Sequence, residues 1–138
     1  MLKELFAASI ILLTLISICF AGSVPNMREG KWEITTKMEM PGMPMSMPPV
    51  KNTQCLTKKD LVPQNSQPGQ ECTVSQTKVT GNTVTWTVQC KGQGGDMKGT
   101  GEMTYSGDSL KGTIKIPMPQ ANMEMTNHIT GRRIGDCK

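Results

Sequence analysis

The chain has 138 residues, a formal net charge of +4, 14 glycines, 12 methionines and only 4% aromatic residues. Its positive charges are spread out rather than clustered and its aromatics do not alternate with Arg or Lys, which removes the basic footprint of a nucleic-acid binder. Beyond a leader at the N-terminus there is one domain's worth of sequence, residues 22–138, enough for one modest core and small enough to need crosslinks.

Residues 1–21 read as an export signal. Lys3 lies in a short charged start, an apolar stretch runs from Leu5 to Ile18, and Cys19 and Ala21 are small residues ahead of a cut before Gly22. Ile18 stands where a lipoprotein signal needs a small residue before Cys19. The apolar stretch is shorter than the roughly 20 residues needed to span a bilayer, and Ala21, Gly22, Ser23 and Pro25 replace a basic flank. The expectation is a cleaved signal peptide, a secreted or periplasmic protein, and no transmembrane segment after signal removal. In such a compartment Cys55, Cys72, Cys90 and Cys137 read as two disulfides.

The first strand is predicted from Lys31 to Met40, where Trp32, Ile34, Thr36, Met38 and Met40 alternate with Lys31, Glu33, Thr35, Lys37 and Glu39. A Met/Pro-rich loop follows over 41–49, then a short helical turn starting at Thr57 and ending before Pro63, and a polar loop from Gln64 to Gln70.

For Cys72 to Cys90 two hairpin registers compete. A two-residue turn at Gly81-Asn82 pairs Val79 with Val84 and puts the two cysteines on opposite faces. A three-residue loop, Thr80 to Asn82 with Asn82 left-handed, sets Cys72 across from Cys90 and Val74 across from Val88. The second is favoured, because cross-strand cysteines at a closely spaced pair have about the 3.8 Å Cβ separation of a disulfide. By elimination the other bridge is Cys55 with Cys137.

The returning strand, Thr83 to Cys90, turns Val84, Trp86, Val88 and Cys90 to one side, so both tryptophans point inward. Gly92 to Gly95 is a loose turn. From Lys98 to Ile116 a two-residue Gly107-Asp108 turn pairs Tyr105 with Leu110, Met103 with Gly112 and Gly101 with Ile114, and sets Glu102 opposite Thr113 on the other face. A last strand, Asn122 to Thr130, turns Met123, Met125 and Ile129 inward. Roughly six or seven antiparallel strands in consecutive order make this an all-β chain, a small meander curling into a sheet or open barrel.

Met38, Met40, Met43, Met45 and Met47 carry the sharpest chemical signal. Thioethers are soft, neutral ligands suited to Cu(I) or Ag(I), Met43, Met45 and Met47 lie along an extended segment, and His128 is the candidate nitrogen ligand if the last strand lies nearby. The competing reading, favoured because Met is a common gap filler, makes Met38 and Met40 core residues and the loop an apolar flap over the sheet. A third makes the loop a contact for a lipid or a partner protein.

The four cysteines form no C-x-x-C pair, which argues against zinc. His128 falls by alternation on the polar face with Glu124 and Thr126, without a nucleophile or orienting partner, so no catalytic residue is assigned. Glu33, Glu39, Glu102 and Glu124 alternate outward, the glycine-rich stretches lack a following helix, and Arg132 and Arg133 belong to a hydrated tail or an anion dock.

The order of features carries a resemblance. Gly30-Lys31-Trp32-Glu33, Pro41-Gly42-Met43-Pro44, Cys55-Leu56-Thr57 with Asp60, the Cys72 to Cys90 pair flanking Gly81-Asn82 and Trp86, and Arg133-Ile134-Gly135-Asp136-Cys137 follow one another along nearly the whole mature chain. It resembles the bacterial secreted family catalogued as domain of unknown function 3617. The resemblance implies an exported β-rich protein and brings no activity, substrate or catalytic residue; Pro/Met loops at this place suit a flap as well as a ligand site.

Together these readings predict a non-catalytic binding or envelope-associated module whose apolar ligand or envelope-protein partner lies under or on the Met/Pro loop. They call for no cofactor and no enzyme activity. The alternative is a Cu(I)- or Ag(I)-binding protein using Met43, Met45, Met47 and His128, and a third class is a purely structural envelope protein.

Overall fold

Strict alternation from Trp32 onward sends every second side chain to one face of the sheet, and the fold is the consequence of that row being repeated on neighbouring strands. The computed structural model describes residues 24–43, 47–63, 71–92 and 95–138; the expected export signal, Met45 and the expected polar loop from Gln64 to Gln70 lie outside these. Among the described residues the strands are β1 (Gly30–Glu39), β2 (Val50–Leu56), β3 (Glu71–Thr80), β4 (Thr83–Lys91), β5 (Met97–Ser106), β6 (Ser109–Met118) and β7 (Met123–Gly135).

They form one antiparallel sheet in the order β2-β1-β7-β6-β5-β4-β3, curled into a half-barrel. The chain runs as a meander from β3 to β7, and β7 then lies beside β1 rather than at an edge, in a register that sets Lys37 opposite His128. Among the described residues no helix is long and apolar enough to cross a membrane.

Both bridges are present, Cys72 with Cys90 and Cys55 with Cys137, and two disulfides suit an oxidising compartment. The β5–β6 hairpin has the register expected from its turn, Met103 opposite Gly112 and Tyr105 opposite Leu110. The β3–β4 hairpin corrects the expectation. Its tip is the two-residue turn, with Val79 opposite Val84 and a left-handed Gly81 at φ 60°, yet Cys72 still faces Cys90. A β-bulge reconciles the two: the register shifts between Ser75 and Lys78, where Gln76 adopts φ 53° and accepts a 3.0 Å hydrogen bond on Oε1 from the Thr87 hydroxyl. One extra residue on β3 restores the face that the tight turn had reversed.

Two further differences concern the middle of the chain. Val50–Leu56, where the sequence pattern predicted no element, is the edge strand β2. The helical turn expected at Thr57 is a tight turn closed by Asp60 N–H donating to the Thr57 carbonyl at 3.0 Å; a 3-10 turn occurs instead at Pro119–Ala121.

The core fills one end of the curled sheet. Trp32, Ile34, Leu56, Val84, Met103, Tyr105, Leu110 and Ile129 are buried there under Met27, Leu61 and Val62. Trp32 and Tyr105 meet edge to face with ring centres 6.2 Å apart. Their polar ends are satisfied: the indole N–H donates to the Arg28 carbonyl at 3.1 Å and the phenol donates to the Leu61 carbonyl, while burial pushes the phenol's pKa up. The N-terminal segment latches this end, with Gly107 N–H on the Asn26 carbonyl at 2.8 Å and Arg28 on both oxygens of Asp108 at 3.0 and 2.8 Å.

Candidate functional site

At the other end the same inward rows continue, half-buried rather than buried. On β1 the buried Trp32 and Ile34 give way to half-buried Thr36 and Met38, and on β7 the buried Ile129 gives way to Asn127 and Met125. The result is a groove of about 670 Å³ in the concave face. Its floor is Ile114 and Ile116 of β6 with Trp86 and Val88 of β4. One wall is Val74 and the Cys72–Cys90 bridge; the other is Val50 and Asn52 of edge strand β2, with Met47 and Pro48 from the Met/Pro segment. Trp86 and Val62 belong to both the core and the groove, so they mark where packing stops.

Trp86 can occupy that boundary because the residue opposite it on β5 is Gly101. The indole lies flat on the glycine, and a Cβ at position 101 would overlap the ring.

The groove is mainly apolar; Thr36, Asn52 and Asn127 give it polar points on one side. Its size falls within the ~300–1,000 Å³ typical of small-molecule sites. Among the described residues no group of three His, Cys, Asp or Glu side chains could hold a metal.

Of the residues expected to form a metal set, His128 and Met47 lie on opposite faces of the sheet. His128 is on the convex face, where its Nε2 lies 3.0 Å from Glu39 Oε2. Met47 lines the groove and is 46% exposed, Met43 is 56% exposed, and Met45 lies outside the described residues. Met38 and Met125, expected to be inward, do face the groove.

The convex face is a lattice of threonines and paired charges. Arg132 Nε donates to Glu33 at 3.1 Å, and Lys115 lies 3.7 Å from Glu124. Arg133 is not on this face: it has the inward parity of Ile129 and Gly131 and clamps the core end of the sheet, its Nε donating to the Glu29 carbonyl at 2.8 Å and its guanidinium pairing with Asp136 beside Cys137. The hydrogen bond and charge of His128, helped by Lys37, hold the Glu39 carboxyl below its ordinary 4.5. A carboxyl lowered in the folded state stabilises the fold above its unfolded value and loses that contribution as pH falls through the folded one. In His128→Asn the Glu39 titration, followed by carboxyl NMR shifts, is expected to move back up toward 4.5.

The sequence missed Val74, Val88, Met97, Ile114 and Ile116 as groove residues. Their period-two pattern signals inwardness and says nothing about whether a partner covers them.

The family model described as Protein of unknown function (DUF3617) matches residues 27–137. The chain belongs to this family. No curated protein and no solved structure matches it. The DUF3617 match takes in the seven described strands, both bridges and the residues that line the groove, and leaves residues 1–26 and Lys138 outside.

Proposed function

We propose that this chain is an exported, periplasmic, non-catalytic binding module that takes the acyl chain of a lipid into the concave groove, with the Met/Pro segment 41–49 as its flap. In this reading residues 1–21 are a signal peptide and the mature protein works at the envelope. The observation that carries it is the open half of the inward face: an apolar groove of about 670 Å³ continuous with a packed core. Methionines suit such a site because an unbranched, polarisable side chain adapts to ligands of varied shape; Met38, Met47, Met97 and Met125 all line it.

The test is a series of saturated fatty acids measured by calorimetry on the oxidised protein. Each buried methylene contributes about 0.8 kcal/mol, so affinity is expected to rise about fourfold per added carbon until the groove is full. A flat series, or saturable turnover of the lipid, contradicts the reading.

A further inference from the structure

The tip of the β6–β7 hairpin collects a second set of methionines, distant in sequence from the Met/Pro segment. Met118 pairs directly with Met123, and Met125, opposite Ile116, is the diagonal neighbour of Met118. All three follow the inward parity of Ile116 and Ile129 and are half-buried. They are not members of the buried core. Directly opposed residues in an antiparallel pair have Cβ atoms about 5 Å apart, and the diagonal and along-strand neighbours are about 7 Å away. The three Cβ atoms therefore form a triangle whose centre is about 4 Å from each corner. A methionine sulfur is two flexible bonds beyond Cβ, so three sulfurs can meet one ion at that centre.

The backbone beneath them is held. Pro117 and Pro119 flank Met118, and the connection is closed by Asn122 in the left-handed region at φ 49° with its N–H on the Pro119 carbonyl at 3.3 Å. Strand ends ordinarily favour β-branched or aromatic residues. Three unbranched thioethers on one face of a proline-fixed hairpin are instead a soft, neutral donor set, which selects a monovalent soft ion over zinc, magnesium or calcium.

We propose that Met118, Met123 and Met125 form a three-thioether site for Cu(I) or Ag(I). Met125 also lines the groove, so the ion site adjoins the lipid site at its β6–β7 end.

Ag(I), which does not change oxidation state, is the probe. It is titrated into the full chain with both disulfides formed, against a competing chelator, while methionine ε-methyl signals are followed by NMR. The expected result is one equivalent bound, with shifts confined to Met118, Met123 and Met125. That binding is lost in M118L/M123L/M125L and kept in M43L/M45L/M47L; Leu conserves methionine's volume, and circular dichroism checks that each variant folds. No binding by the wild type, shifts on other methionines, or loss only in M43L/M45L/M47L would overturn the site.

Discussion

Gly101→Val is expected to cost about 3 kcal/mol of stability and to abolish ligand binding. Overfilling a packed core costs about 1–3 kcal/mol, and expelling a buried tryptophan costs about 3–5, so the variant must accept one or the other. The overlap here is with the body of the indole, whose Nε1 would lie 2.7 Å from the new Cβ. Trp86 is 3% exposed and sits at the boundary of core and groove, so its displacement damages both. Thr100→Val, one residue away on the outward face, is the control and is expected to change stability by less than about 0.5 kcal/mol. Urea unfolding measures both. Equal midpoints for Gly101→Val and the wild type would mean that Trp86 does not rest on that glycine.

The second large effect is the loss of the long-range bridge. Cys55 and Cys137 are 82 residues apart and tie edge strand β2 to the tail after β7, whereas Cys72 and Cys90 are 18 apart within one hairpin. In the chain-entropy treatment the first contributes about 4.5 kcal/mol and the second about 3. Cys55→Ser/Cys137→Ser is therefore expected to be the less stable double variant in urea. For ligand binding the order reverses, since only Cys72–Cys90 lines the groove. A less stable Cys72→Ser/Cys90→Ser protein would contradict the loop-length account.

What the sequence made legible was local. The β5–β6 register follows from one glycine-containing turn, because Gly107-Asp108 satisfies both faces at once. The Cys72–Cys90 pair was also legible, but for a reason that failed: the extra residue is in a bulge at Gln76, a residue type that gives no signal for a left-handed backbone. Strand β2 was hidden because Val50-Lys51-Asn52-Thr53-Gln54 has little apolar alternation, as an edge strand with a polar lining permits. The pairing of β1 with β7 joins residues about ninety positions apart, and no local pattern encodes it. For the site, alternation placed His128 on the polar face and Met125 on the inner one. Where the inward rows stop being packed depends on which segments cross them, and among the described residues Leu61 and Val62 reach over the core while the groove begins beyond them.

The most direct test of the acyl-chain groove is photocrosslinking of a diazirine-bearing fatty acid to the oxidised protein, followed by peptide mapping. Labelling of the peptides that carry Trp86 and Val88, Ile114 and Ile116, and Met125, competed away by unlabelled fatty acid, is the predicted result. Labels on the convex threonine face, or none that compete, would contradict a lipid-binding groove.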